Sequence, residues 1–147
     1  MSKIPVAFVE IRLFAHATED LTKVTKAVKQ IFPIDFIEEL EFKRTSLKGH
    51  YRNPIVLFET KIKAENVKNA FIDNVFSRIG VTDKKELLRD INLHVEKGSF
   101  YLRLDKQAAL YGEIKLCTED PIRIRIRFMK RGITDILKIC KEFGMLP

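Results

Sequence analysis

Cysteine is scarce in this sequence, and the motifs that mark common enzymes are missing. The 147 residues include only Cys117 and Cys140, too few for a disulfide scaffold or for a zinc site built from cysteine alone. Both lie in apolar stretches, which predicts buried free thiols. His16, His50 and His94 lie far apart, and no two of them have the spacing of metal ligands. There is also no phosphate-binding glycine-rich loop, dinucleotide fingerprint or nucleophile elbow, so we expect no cofactor, no metal and no catalytic residue.

Long hydrophobic runs are absent as well. No apolar stretch approaches the roughly 20 residues that a membrane-spanning helix needs. The first residues run into a strand pattern without the apolar core of a signal peptide. We therefore expect a cytoplasmic protein that does not associate with membranes. No linker, repeat or low-complexity tract divides the sequence, which predicts a single domain over residues 1–147.

What the sequence does contain is an excess of positive charge. Lysine and arginine number 27 against 20 aspartates and glutamates, and the net charge is +7. Hydrophobic residues make up 46% of the chain, which is enough for a globular core and too many for a disordered chain. The basic balance favours polyanionic partners such as nucleic acid, although it says nothing about the fold.

Alternation and helical periodicity together predict an α+β fold. The segment 6–16 has an apolar face made of Ala7, Val9, Ile11 and Leu13, as in a half-buried strand. Further strands are predicted at 37–46, 55–62, 93–96, 99–104, 113–117 and 122–128. Amphipathic helices are predicted from Thr18 to before Pro33 and over 64–79, 82–91 and 132–143, with Gly80 and Gly144 as C-terminal caps. A mostly antiparallel sheet with helices packed on one face forms a two-layer sandwich, and the other face of the sheet stays open.

The clearest functional signal is the segment 122–128, in which apolar residues alternate with arginines. This period of two buries the apolar residues and places the arginines side by side on the open face. The segment 99–104 has the same pattern and adds a tyrosine and an arginine. The residues expected on this face or just beyond it are Tyr101, Arg103, Lys115, Arg123, Arg125, Arg127, Lys130 and Arg131. Arginine beside an exposed aromatic ring suits contact with phosphates and stacking on bases.

Crowding of like charge is the main reason to assign this face to binding. Lys115, on the predicted strand 113–117, is expected opposite Arg123 or Arg125, with Glu113 as the only nearby acid. Like charges directly opposite one another in a sheet are unfavourable. The alternative is that charges on an open sheet merely prevent edge-to-edge aggregation. Alternating signs would do that without repulsion, so we favour polyanion binding.

The junction between the first strand and the first helix also carries candidate functional groups. His16 beside Glu19 and Asp20 could ligate a metal or form an acid–base pair. The simpler interpretation is a helix start capped by Thr18, with the two acids in the first turn where the helix dipole favours them. We favour that interpretation, which leaves His16 unexplained.

Two loops offer further groups that can contact nucleic acid. The first mixes loop formers with stacking and phosphate-binding side chains, and its candidates are Lys48, His50, Tyr51, Arg52 and Asn53. A solvated turn is an equally good interpretation of this segment. In the second loop, Asp105 is expected to cap a short segment and to leave Lys106 and Gln107 exposed as donors.

Three segments, taken in order along the chain, form a recognisable set. They are His16-Ala17-Thr18-Glu19-Asp20 after an apolar strand, Gly49-His50 with Asn53-Pro54-Ile55, and Arg103 with Asp105-Lys106-Gln107-Ala108-Ala109. The set resembles an archaeal family of predicted RNA-binding proteins described as exosome-associated, and the resemblance spans nearly the whole chain. It implies RNA binding and an α+β fold similar to the large-subunit ribosomal protein that binds the smallest ribosomal RNA. Members of that family often carry glycine where this chain has Arg52.

These observations predict a non-catalytic RNA-binding protein. Its expected partners are RNA and a larger RNA-processing complex, either the exosome or one that handles ribosomal RNA. One alternative is a protein-interaction subunit that docks its basic sheet onto an acidic partner. A second is a metal-dependent phosphoesterase centred on His16, Glu19 and Asp20.

Overall fold

A six-stranded antiparallel sheet forms one layer of the fold in this computed structural model, which describes residues 3–147 and, at His50, the backbone only. The strands are β1 (Val6–Ala15), β2 (Lys43–Lys48), β3 (Pro54–Ile62), β4 (Val95–Glu96), β5 (Ser99–Leu104) and β6 (Ile122–Phe128). Their order across the sheet is β2-β3-β1-β6-β5-β4, so β1 and β6 lie at the centre. The predicted α+β sandwich, with a mostly antiparallel sheet, is confirmed.

Helices form the second layer and cover one face of the sheet. They are α1 (Leu21–Ile31), α2 (Glu65–Arg78), α3 (Val81–Arg89), α4 (Ile91–His94), α5 (Lys106–Leu110) and α6 (Ile133–Glu142), with 3-10 turns at Ile34–Glu39 and His50–Arg52. The buried residues of α1 are Val24, Ala27, Val28 and Ile31, the spacing of one helical face. No helix among the described residues is long and apolar enough to span a bilayer.

The core lies between the helices and the inner face of the sheet. On β6, Ile122, Ile124, Ile126 and Phe128 are all buried, whereas the arginines between them are half-buried. Complete burial of one such side chain contributes about 1.5–3 kcal/mol. Aromatic rings join the two layers, since Phe76 of α2 meets Phe100 of β5 edge to face with centroids 6.0 Å apart. The alternation predicted from the sequence is therefore confirmed on β6.

A bulge near the start of β1 changes the faces that its first residues present. The register against β6 shifts between Val6 and Phe8, so Val6 is buried, Ala7 is exposed and Phe8 reaches the opposite face. The prediction that Ala7 belongs to the core is therefore wrong. The buried ammonium of Lys68 donates to the carbonyls of Val6 (2.7 Å) and Ala7 (3.3 Å), and it thereby stabilises the bulge.

Three predicted strands differ from the structure. The segment 37–46 begins as a 3-10 turn after Pro33, and its strand starts only at Lys43. The segment 93–96 is helical up to His94, although the hairpin turn at Lys97-Gly98 is confirmed. Within the described chain, residues 113–117 form only one bridge, between Leu116 and Leu104 at the outer edge of β5. They cannot pair with β6, because β1 and β5 already occupy both of its edges.

Helix ends follow the predictions in part. Gly144 follows α6 with a φ of +73°, as expected of a C-terminal glycine. Gly80 does not act in this way, since its φ is −66° and it precedes α3 as the N-terminal cap. The first helix also starts later than predicted. Asp20 is its N-cap and accepts a hydrogen bond from the backbone amide of Thr22 at 2.9 Å, so the assignment of that role to Thr18 is wrong.

The cap gives a matched pair of substitutions two residues apart. We expect Asp20→Ala to lower the free energy of unfolding by about 1 kcal/mol, because an amide of the first turn of α1 loses its acceptor. Thr18→Ala should change it by less than about 0.5 kcal/mol, the usual range for an exposed position without such a role. Urea denaturation of both variants measures the difference, and equal losses would contradict the assignment of the cap.

Candidate nucleic-acid interface

The face of the sheet opposite the helices, here called the open face, presents its side chains in rows that cross the strands. Each row follows from the registers of neighbouring strands. The first row holds Lys43, Glu59, Arg12, Arg123 and Arg103; the second holds Lys61, Glu10, Arg125 and Tyr101; the third holds Phe8, Arg127, Ser99 and Glu96. Lysines and arginines outnumber carboxylates in this array, so the open face is basic.

Two aromatic rings are held between pairs of cations on the open face. The guanidinium carbons of Arg103 and Arg123 lie 5.8 and 5.6 Å from the ring centre of Tyr101. The ammonium of Lys61 lies 4.1 Å from the ring centre of Phe8, and Arg125 lies 5.4 Å from it. Each contact contributes about 0.5–1 kcal/mol where the pair is solvent-accessible. The rings therefore fix the long cationic side chains against the sheet.

Carboxylates neutralise the arginines at the centre of the open face. Arg12 donates to Glu59 at 2.7 Å, and Arg123 lies 3.3 Å from Glu10. The expectation that Glu113 would be the only acid near the arginines is therefore wrong. Strand β1 brings Glu10 and Arg12 beside β6, and that pairing cannot be read from either segment alone.

Three arginines on the open face keep their charge without a carboxylate partner. Arg125 donates through Nε to the Ser99 hydroxyl at 2.9 Å, and Arg127 donates to the carbonyl of Lys97 at 2.7 Å. Within residues 3–147, no carboxylate lies within 4.0 Å of Arg103, Arg125 or Arg127. Neutral acceptors and rings position these guanidinium groups and leave their positive charge uncompensated. Such groups suit bidentate contact with phosphate.

The structure brings together the predicted residues of β5 and β6 and separates the others. Those on the open face are Tyr101, Arg103, Arg123, Arg125 and Arg127. Lys130 and Arg131 are exposed just beyond the end of β6. Lys115 lies away from the arginines and pairs with Glu113 at 3.2 Å, so its predicted place opposite Arg123 or Arg125 is wrong.

Several residues of the open face escaped the sequence analysis. They are Phe8, Glu10, Arg12, Lys43, Glu59 and Lys61. The outward alternation of Glu10 and Arg12 on β1 was the available signal, but their neighbours depend on strand pairing. Glu59 and Lys61 on β3 alternate in the same manner.

His94 and Cys140 have shifted pKa values that keep both groups uncharged at neutral pH. Burial lowers the pKa of His94 below its ordinary value, and the positive charge of Arg103 lowers it further. Its imidazole is therefore neutral at neutral pH and adds nothing to the basic face. In the core, burial raises the pKa of Cys140 to about 12. The buried free thiol predicted there is confirmed, while Cys117 is half-buried.

The loop between β2 and β3 holds two non-glycine residues in left-handed backbone. Tyr51 has a φ of 56° and Arg52 a φ of 61°. The loop closes through the amide of Gly49, which donates to the carbonyl of Asn53 at 2.7 Å. Lys48, paired with Pro54, ends the strand before it, and the predicted His50 side chain lies outside the described residues. Tyr51 is 87% exposed, so the loop presents an aromatic ring and a cation to solvent.

Arg52 occupies a conformation that glycine adopts without strain. We expect Arg52→Gly to raise the free energy of unfolding by about 1 kcal/mol, because the left-handed conformation costs a residue with a Cβ about 1–2 kcal/mol. Arg131→Gly is the control, since it removes the same side chain from an exposed position without a positive φ. It should be neutral or destabilising. Chemical denaturation measures the free energy of unfolding of both variants. A lower value for Arg52→Gly than for wild type would contradict the interpretation that the backbone at Arg52 is strained.

A second charged group lies where the first strand ends and the first helix begins. The imidazole of His16 lies 2.9 Å from Asp120, and the ammonium of Lys106 lies 2.8 Å from Asp120 and 3.1 Å from Glu19. Lys106 also donates to the carbonyl of Phe14. Its three donors are thus directed to protein acceptors, and its side chain is only 13% exposed. The prediction that Lys106 is exposed as a donor is therefore wrong, and we expect its role to be structural, whereas Gln107 beside it is exposed as predicted.

This cluster bears on the phosphoesterase alternative. The ligand atoms of His16, Glu19 and Asp120 lie within 4.8 Å of one another, as in a metal site. Asp20, which the sequence placed in such a centre, instead caps α1. The ammonium of Lys106 already contacts both carboxylates, so a divalent cation would meet its charge there. The arrangement fits a structural salt-bridge cluster that ties α5 to β1 and to the chain entering β6.

Lys106 and Gln107 form a matched pair that separates structure from binding. We expect Lys106→Met to lower the free energy of unfolding by about 1 kcal/mol or more, because Glu19 and Asp120 lose their shared cation. Gln107→Met should leave stability nearly unchanged. RNA affinity of Lys106→Met, measured where the variant is folded, should stay within about twofold of wild type, well below the cost of a lost charged contact. A large loss of affinity with unchanged stability would instead make Lys106 an RNA contact.

The fold and this face define an α+β protein with a basic, open antiparallel sheet. The sequence model of a family described as RNA binding matches residues 8–128, which is most of the chain. The chain belongs to this RNA-binding family.

Two relatives and a solved structure are similar to this chain over most of its length. An RNA-binding protein of Pyrococcus abyssi is 35% identical over 128 residues, covering 85% of this chain and 83% of the relative. An uncharacterized protein of Methanocaldococcus jannaschii is 31% identical over 117 residues and covers 78% of each chain. A crystal structure from Archaeoglobus fulgidus superposes with a TM-score of 0.78 at 26% identity, over 94% of this chain and 99% of that one.

Proposed function

We propose that this chain is a non-catalytic protein that binds RNA through the open face of its sheet. The observation that carries the proposal is the trio Arg103, Arg125 and Arg127, whose charges have no carboxylate partner within residues 3–147. Like charges such as Arg103 and Arg123 opposite each other cost stability in the free protein, and bound phosphates relieve that repulsion in the complex. The family and the name of the Pyrococcus relative support RNA as the polyanion.

The residues of the open face and of the loop between β2 and β3 have different roles in the proposed RNA binding. Arg103, Arg125 and Arg127 contact phosphates, and Lys130 and Arg131 extend the positive strip beyond the end of β6. The hairpin tip, which carries Tyr51, Arg52 and Asn53 after Lys48, reaches the same ligand with its exposed ring and cation. We also propose His50 and Gln107 as RNA contacts, as predicted from the sequence. The chain acts as one RNA-binding domain over residues 1–147.

A larger assembly is the finer part of the proposal. The resemblance described above implies association with the exosome or with ribosomal RNA, and a likeness to a ribosomal-protein fold. Affinity purification of the tagged chain from its own cells, with and without ribonuclease, tests this part. Exosome subunits retained after ribonuclease treatment support direct assembly, whereas their loss assigns the association to RNA alone.

Salt dependence provides the first quantitative test of the electrostatic interface. If about five phosphates are neutralised, log affinity should fall with log salt concentration at a slope of roughly −3 to −4 for a single strand. Fluorescence anisotropy with a labelled oligonucleotide, at several salt concentrations, measures this slope. A flat response would exclude a phosphate-binding face.

A charge-matched pair of variants tests which arginines are used. Arg103→Gln should weaken RNA binding roughly three- to tenfold, since a charged contact contributes about 1 kcal/mol or more, and it should make the salt slope shallower by about 0.7. Its free energy of unfolding should change by less than about 1 kcal/mol, because relief of the like charge opposite Arg123 opposes the loss of the cation–π contact with Tyr101. Lys138→Gln, at an exposed position of α6 in the helical layer, removes one positive charge away from the open face and should leave affinity within about twofold, as distant screened charges do. Equal losses in both variants would mean that only net charge matters.

A further inference from the structure

The open face changes character towards the hairpin tip. Beyond the row that contains Arg12, the next residues across β1, β3 and β2 are Phe14, Leu57 and Thr45. One step further, Ile55 lies opposite Leu47. We call Phe14, Ile55, Leu57 and Leu47 the apolar end of the open face.

The fold does not use this apolar end for its core. Phe14 is 39% exposed and Leu47 is 41% exposed, while Ile55 and Leu57 are half-buried. The core lies on the other face of the same strands, where their neighbours Leu13 and Phe58 are buried. Leu47 also lies on the outermost strand, where exposed apolar residues invite aggregation and charged residues are usual. A binding role accounts for exposed apolar side chains at this position.

The neighbours of the apolar end indicate what covers it. Arg12, two residues along β1 from Phe14, is paired with Glu59. Among the described residues, the nearest arginine of the open face without a carboxylate partner is therefore Arg103, two strands across in the same row. The spacing of residues and strands in a sheet puts Arg103 about 12 Å from Phe14. A ligand that covers both must therefore carry anionic groups and apolar groups within one flexible chain. Unpaired nucleotides have this chemistry, because each joins a phosphate to a base whose faces are free to stack. In a duplex the bases are stacked on each other, so only phosphates would reach the sheet.

We propose that the apolar end binds unpaired nucleobases, so that the open face selects single-stranded or looped RNA over duplex. The inference rests on the proposed function, and it adds the class of RNA that the site takes. Phosphates lie over the arginines of β5 and β6. The bases of the neighbouring nucleotides in the RNA lie against Phe14 and the rest of the apolar end. The exposed ring of Tyr51 lies just beyond them, in the loop between β2 and β3.

The test compares three ligands of equal length on the full chain. They are a single-stranded oligouridylate of twelve nucleotides, the same backbone with abasic residues, and a twelve-base-pair RNA duplex. At one salt concentration we expect the base-bearing strand to bind at least tenfold more tightly than the abasic strand, since stacking contributes about 1–3 kcal/mol per base. The duplex should bind more weakly than the base-bearing strand, although it carries twice as many phosphates.

A matched double variant locates the effect. Phe14→Ser with Leu47→Ser should reduce affinity for the base-bearing strand about tenfold and leave affinity for the abasic strand unchanged. The control is Ile34→Ser with Val81→Ser, two exposed apolar residues away from the open face, and it should change neither affinity. Urea denaturation confirms that both variants are folded. Should Phe14→Ser with Leu47→Ser prove unfolded, Leu47→Ser alone, on the exposed edge strand, replaces it.

The outcomes distinguish a failure of this inference from a failure of the proposed RNA-binding function. Salt-dependent binding with equal affinity for base-bearing and abasic strands would retain RNA binding and overturn the apolar end as a base site. Unchanged affinity in the Phe14→Ser with Leu47→Ser variant would also overturn it and leave the surface to a protein partner. Absence of salt-dependent binding to any of the three ligands would remove the proposed function itself.

Discussion

The antiparallel pairing of β1 with β6 is the interaction on which the rest of the molecule depends. It places Ile11 opposite Ile124 on the core side and Arg12 opposite Arg123 on the open side. The core side is strongly favourable, since both isoleucines are completely buried. The open side is unfavourable by a few tenths of a kcal/mol for each pair of like charges. Because the same strands carry both faces, hydrophobic packing holds the arginines close together.

The positions of the acidic residues determine which arginines keep an uncompensated positive charge. Glu59 and Glu10 meet Arg12 and Arg123 near the middle of the sheet, where repulsion would be greatest. Towards β5 no carboxylate of the described residues lies within 4.0 Å of the guanidinium groups, which are positioned by a hydroxyl, a carbonyl and aromatic rings. Positive potential is thereby concentrated on one side of the open face. The opposite corner, around Phe14 and Leu47, is apolar.

Local patterns in the sequence predicted those features that depend on one segment alone. The alternation in 122–128 assigned the core and the arginines correctly, because side chains on a strand must point to opposite faces. The turn at Lys97-Gly98 was likewise correct. Contacts between residues that lie far apart in the sequence were not predicted. Glu10 contacts Arg123, which is 113 positions away in the sequence, and Lys106 contacts Glu19, which is 87 positions away. The segment 113–117 had a strand-like pattern, but the sheet had no free edge for it beside β6.

The number of strands has a mechanical consequence for the ligand. Neighbouring strands in a sheet are rotated by roughly 20–25° relative to one another. Across the order β2-β3-β1-β6-β5-β4, the surface that carries the cations therefore curves as a saddle. A stiff, straight rod can touch such a surface only along a short line, whereas a flexible polymer can follow its curvature from one edge to the other. The twist of the backbone thus favours flexible ligands over stiff ones, whatever contacts the side chains make.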